Sequence, residues 1–191
     1  MGFVLLLLSS TEGWSADFQK GVTAYDKKDY ATALREWKPL AKQGNFSAQY
    51  LLGVMYRKGQ GVPQDYKTAL KWYRLAAKQG NADAQTSLGV MYQTGRGVPQ
   101  NDKTAVKWYR LAAEQGLADA QFRLGNMYYK GQGVLQDYIR SHMWLNIAAS
   151  SGKSKNASKN RDIVAKRMNS NQIETAQKLA RKCVRKKYKG C

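Results

Sequence analysis

The sequence predicts an all-α protein, a solenoid of stacked helix-turn-helix units, and three observations carry that prediction. The first is a fixed period. Ala48-Gln49, Leu52-Gly53 and Met55-Tyr56 return 36 residues later as Ala84-Gln85, Leu88-Gly89 and Met91-Tyr92, and again as Ala120-Gln121, Leu124-Gly125 and Met127-Tyr128. Between 48–83 and 84–119, 26 of 36 positions are identical. A period of this size implies units that bury their apolar faces only against neighbours. The second is spacing: Ala48, Leu52, Met55 and Tyr56 fall at i, i+4, i+7 and i+8, a helical stripe. The third is that helix stop and start signals recur at the same offset in every copy.

Residues 1–16 stand apart. Phe3 to Leu8 is an unbroken apolar run, followed by Ser15-Ala16 before Asp17. This has the apolar and cleavage regions of a secretory signal peptide, incomplete because no Lys or Arg precedes the run and bulky Trp14 sits near the cut. The run is far below the roughly 20 residues that cross a bilayer. The expectation is export to the periplasm or medium with a mature start near Asp17. The bland alternative is a short buried N-terminus.

Residues 17–44 form a short opening unit, with Gly21, Ala24-Tyr25, Asp29-Tyr30, Ala33, Trp37 and Ala41 in the repeat's register. Tyr25 to Ala33 spans 8 positions where Tyr56 to Ala69 spans 13, so the connecting loop is missing. Such a compact unit suits an N-terminal cap. In the first full repeat, 45–80, Gly59-Gln60-Gly61-Val62-Pro63 ends the first helix, since Pro63 cannot continue it. Asp65, Asn101 and Asp137 stand where each second helix should begin, and all three are strong N-cap types. The second helix carries Ala69, Trp72, Tyr73, Ala76 and Ala77 on one face. Gly53, Ala69 and Ala76 should let helices approach closely, with Trp72 and Tyr73 filling the space between adjacent units. Recurrence of these aromatics at one register favours core over a ligand box.

The repeat 81–116 copies this pattern, and 117–152 departs from it. Leu135 replaces Pro63 and Pro99, and the only histidine, His142, stands where Leu70 and Val106 stand. Terminal repeats are expected to be atypical. His142 has two readings, a packed structural side chain or a ligand or base, and its register favours the first. The segment 153–191 carries 13 Lys and Arg against Asp162 and Glu174, most of the chain's net charge of +19. Asn169 with Gln172 matches a capping box, and Ile173, Ala176, Leu179, Ala180 and Cys183 continue as an apolar stripe. These predict capping helices with a basic tail. Cys183 and Cys191 would lie ~12 Å apart on one continuous helix, too far to bond. If they pair, the helix ends near Arg185–Lys187 and Tyr188-Lys189-Gly190 turns back; whether they pair stays open.

The motif A-x-A-Q-x-x-L-G-x-M-Y, then G-x-G-V-P-Q-D, then K-T-A-x-K-W-Y-R-L-A-A-x-Q-G, resembles the Sel-1-like repeat family, a branch of the tetratricopeptide superfamily. The resemblance covers 45–152 directly, and the opening unit is closer to an ordinary tetratricopeptide. The stretch from His142 to Ala149 and the Arg161–Met168 helix are similar to the ends of bacterial members. The resemblance implies a right-handed α-solenoid that binds a protein or peptide partner in a concave groove formed by first helices. It carries no enzyme activity with it. The disulfide-stapled helix pairs of the cysteine-rich branch do not transfer, because no cysteine lies inside these repeats.

The groove residues expected from the variable positions of the first helix are Tyr50, Leu51, Arg57, Thr86, Gln93, Phe122, Arg123 and Tyr129. Framework positions must repeat because each solves the same packing problem, whereas binding positions are free to differ. A pI near 10 adds a second expectation, an anionic envelope polymer or lipid surface held by Arg181, Lys182, Arg185, Lys186 and Lys187. The alternative is that these cations only solvate a helix. Nucleic acid is not expected, since no recognition motif accompanies the charge. One histidine, no P-loop and no nucleophile elbow leave catalysis, cofactor and metal without support. The expected state is a monomer.

Overall fold

The computed structural model describes residues 17–152, 154 and 156–191. The expected signal segment 1–16 lies outside the described residues. The described residues are helical with no strand, and they divide into two compact units, 17–81 and 82–191. Each is a stack of antiparallel helix pairs.

The first unit contains α1 (17–26), α2 (Tyr30–Lys42), α3 (Phe46–Lys58) and α4 (Tyr66–Lys78). Where the long loop is missing, Lys28 takes a left-handed φ of 62° and makes the tight turn into α2, which Asp29 caps through the Thr32 amide. Trp37 fills the centre: it is fully buried, its indole N–H donates to the Phe18 carbonyl at 3.2 Å, and Phe18 and Tyr25 lie against its ring. Asp65 caps α4 as expected, and Asn45, which the repeat pattern did not single out, caps α3. The α3–α4 loop is tied back to the opening unit, with Gln60 accepting from Tyr25 and donating to Tyr30. The repeated Ala-Gln pair gains a role here. The Gln49 amide donates to the Ala41 carbonyl at the end of α2, and its oxygen accepts from Gln79.

The second unit contains α5 (Ala82–Thr94), α6 (Asp102–Ala113), α7 (Ala118–Lys130), α8 (Tyr138–Ser150), α9 (Ala157–Ala165) and α10 (Ser170–Arg185). Gln121 and Gln115 repeat the glutamine bonds, to the Ala113 carbonyl and to Gln85. Gly131 closes α7 with a left-handed φ of 67°, as Gly59 closes α3. After the last repeat, α9 packs on α8, and α10 lies against α8 beneath a full Asn169–Gln172 capping box. α10 ends at Arg185, and Lys187, Tyr188 and Gly190 at positive φ turn the chain back. Cys191 thereby meets Cys183 in a disulfide with 5.6 Å between Cα atoms.

Two packing expectations gain detail. Tyr73 and Tyr109 fill space inside their own repeats, and Tyr109 also packs on the following helix, where Arg123 lies over its ring. A Cβ on Gly53 would lie 2.5 Å from the Tyr73 ring, and Gly89 faces Tyr109 in the same way. Trp72 packs on the preceding helices. The apolar stripe of α10 is also narrower than predicted: Ala176, Ala180 and Cys183 are buried, while Leu179 remains 37% exposed.

Candidate partner-binding site

Four of the eight groove residues come together in the second unit. Gln93 of α5 and Phe122, Arg123 and Tyr129 of α7 line one hollow of about 280 Å³. Residues 93 and 129 share a repeat register, and 122 lies two turns before 129, so stacking first helices side by side creates this surface. The hollow is completed by residues the periodicity did not indicate. Asn126 stands where Val54 and Val90 stand, and α9 contributes Asn160 and Ile163. The Asn160 amide donates to the Asn126 carbonyl oxygen at 2.8 Å. That pairing orients two side-chain amides, and each keeps further donor or acceptor capacity.

The walls are held from behind. The Tyr109 hydroxyl donates to Gln93 at 2.8 Å, and burial pushes that phenol up to about 12, so it stays protonated. Arg123 donates to Asp119 at 2.8 Å, and its guanidinium lies 5.9 Å from the Tyr109 ring centre. Burial opposes the charge on Arg123, but the Asp119 bond and charge outweigh it and its pKa is raised. Ile163 is 40% exposed at the rim and Lys130 adds a second cation. Hydrogen-bonding amides, two cations and an aromatic–aliphatic wall suit recognition of a chain segment.

In the first unit the corresponding residues are engaged with their own repeat. The Tyr50 ring lies 5.8 Å from that of Tyr73, Arg57 donates to the Tyr73 hydroxyl at 3.2 Å, and Leu51 packs on the core. Thr86 corrects the expectation: it is buried, 6% exposed, and its hydroxyl donates to the Ala82 carbonyl. The basic tail does not form one patch either. Lys182 and Lys186 lie with Arg140 beside the disulfide, whereas Arg181 and Arg185 face Asn146 and Ile147 on another side of α10; Lys187 is exposed in the turn.

His142 lies outside the hollow, 4% exposed in α8, and its Nδ1 has no hydrogen-bond partner. Burial lowers its pKa, Arg161 lowers it further and Asp162 opposes. The folded form therefore keeps a neutral ring. An unfolded histidine takes up its proton near ~6.5, so stability from this site is full above that value and falls as pH drops below it toward the lowered folded value. The urea midpoint should drop more between pH 7 and pH 5 for the wild type than for His142→Leu, which restores the residue of the first repeat. Equal pH slopes would assign the proton uptake to other groups.

Among the described residues, no helix is long and apolar enough to cross a membrane, and no three His, Cys, Asp or Glu side chains cluster as a metal site requires. No curated protein matches the chain at a significant level. Two solved structures are similar. One is a Sel1 repeat protein from Oxalobacter formigenes, 38% identical over 70% of this chain and 53% of that one, with a TM-score of 0.67. The other is c5321, a protective antigen of uropathogenic Escherichia coli strains displaying an SLR fold. It is 30% identical over 97% of this chain and 48% of that one, with a TM-score of 0.66. The chain spans about half the length of each. The Sel1 repeat model matches 46–81, 82–117 and 118–153 in register with the three helix pairs, and the chain belongs to the Sel1 repeat family.

Proposed function

We propose that the protein is an exported interaction scaffold that holds a peptide or protein segment in the hollow between α5, α7 and α9. Sel1 repeats generally mediate protein interactions as non-catalytic scaffolds, and that general role is the starting point. The observation that carries the reading is convergence: Gln93, Phe122, Arg123 and Tyr129, variable between near-identical repeats, line one cavity with the Asn126–Asn160 pair. Its charged lining residues, Arg123 and Lys130, are both cationic, which favours a segment carrying a carboxylate beside an apolar anchor. Export is supported by the apolar run 3–8 with Ser15-Ala16, and by the Cys183–Cys191 disulfide, a bond that persists in oxidising compartments.

The test selects ligands from a displayed library of short peptides on the full chain, then measures their affinity for Phe122→Ala/Tyr129→Ala. Truncating two such anchors should weaken binding by about thirtyfold or more, with the helical circular dichroism unchanged. Selected peptides that bind the double variant as tightly as the wild type would place recognition elsewhere.

A further inference from the structure

The second unit carries another surface that the hollow does not use. On α6, Lys103, Lys107, Arg110 and Leu111 share one face and line an open depression of about 470 Å³ with Val134. The next residue after Val134 is Leu135, 90% exposed at a loop where the other repeats place Pro63 and Pro99. Leu111 is itself 47% exposed. Tyr128 joins this depression to its neighbour: Arg110 donates to the Tyr128 hydroxyl at 2.7 Å, and Arg140 lies over the same ring at 5.9 Å. Arg140 in turn borders the cleft that holds Lys182 and Lys186 beside the disulfide. Six cations thus follow one another across α6, α8 and α10, against the carboxylates of Asp102, Glu114 and Asp137. Asp137 is already paired with Arg140 at 3.1 Å.

We propose that this face docks on an anionic lipid bilayer, with Leu135 and Leu111 entering the interface and Lys103, Lys107, Arg110 and Arg140 meeting the headgroups. The exposed leucines decide between a membrane and a soluble polymer. A dissolved polyanion gains from the cations alone and leaves both leucines in water. A bilayer takes apolar side chains into the boundary between headgroups and acyl chains while its surface charge attracts the lysines around them. A fully exposed leucine where siblings carry proline has no packing role in the unit, and a membrane gives it one. The surface is separate from the α5–α7–α9 hollow, so peptide capture and membrane docking are independent properties.

The experiment is flotation of the full chain with vesicles of equal parts phosphatidylcholine and phosphatidylglycerol, compared with phosphatidylcholine alone. Every variant keeps the apolar run 3–8, so binding through that run would be the same in all of them. Lys103→Glu/Lys107→Glu should lower partitioning by at least about twentyfold, since each cation near a charged surface contributes about fivefold. Arg181→Glu/Arg185→Glu makes the same charge change on another side of α10 and should lower it only a few-fold. Leu135→Ser should lower it about fivefold while leaving binding to soluble polyphosphate unchanged. Equal losses for the two charge-reversal pairs, equal flotation with neutral vesicles, or no effect of Leu135→Ser would each overturn the proposal. In the last case, a loss of both vesicle and polyphosphate binding in Lys103→Glu/Lys107→Glu would make the face a soluble-polyanion site instead.

Discussion

Trp37→Ala should destabilise the first unit by about 3–5 kcal/mol, the usual cost of emptying a fully buried aromatic site. In a chain of this length that is a fall of roughly 10 °C or more in melting temperature. The reasons lie in its surroundings. The indole is fully buried between α1 and α3, donates to the Phe18 carbonyl, and lies 5.6 Å from the Tyr25 ring. Gly21 leaves the space it occupies, for a Cβ there would come within 2.3 Å of the indole nitrogen. This pairing makes a second measurement decisive. Gly21→Ala alone should be destabilising because the ring has nowhere to go. In the Trp37→Ala background the same change should be neutral or favourable, since the added methyl enters the vacated volume and alanine suits a helix better than glycine. A double-mutant cycle with no coupling between the two positions would show that Gly21 does not receive the indole.

How far the sequence anticipated the structure differs from one feature to the next, and the difference has physical causes. The period, the Asp65, Asn101 and Asp137 caps and the Asn169–Gln172 box are legible, because each depends on a few residues at fixed local offsets; the chain reversal to Cys191 is legible only as what a bond to Cys183 would require. Burial in the variable positions was less so. Tyr50, Thr86 and Phe122 occupy one register, yet Tyr50 lies against Tyr73, Thr86 bonds back to its own helix and Phe122 lines a cavity. A large ring can rest on a neighbour where a small hydroxyl sinks, so register alone does not settle which side chain is presented. Asn160 and Ile163 were missed for another reason. They come from α9, outside the repeats, where no period says which face turns inward. The one available signal was Asn126, a polar residue where two siblings carry valine. The tail cations are close in sequence, but successive helical residues turn about 100° from one another, so Arg181 and Arg185 line one cleft while Lys182 and Lys186 line another.

The repeated Gly-x-Gly loop is the other place where one methyl group has a large effect, and the two glycines act differently. Gly131 ends α7 by taking a left-handed turn. Gly133 has the same kind of φ, 69°, but it also lies against the start of α6, where a Cβ would stand 2.4 Å from the Asp102 carbonyl carbon and oxygen and 2.7 Å from the Lys103 nitrogen. These are backbone atoms at a helix N-terminus that the Asn101 side chain caps through Thr104, so they cannot rotate away as a side chain would. Gly133→Ala therefore combines about 1–2 kcal/mol for a left-handed alanine with about 1–3 kcal/mol of overpacking. The expected fall in melting temperature is about 5–15 °C. Gly152 separates the two contributions: its φ is 68°, but among the described residues no atom beyond its chain neighbours lies within 4 Å of its would-be Cβ. Gly152→Ala should cost only the conformational part, a few degrees. If the two variants melt together, the approach of the loop to α6 carries no energy, and the second glycine of each loop is needed only for its backbone angle. If Gly133→Ala melts well below Gly152→Ala, the second glycine is retained because the loop of one repeat rests directly on the backbone of the helix before it.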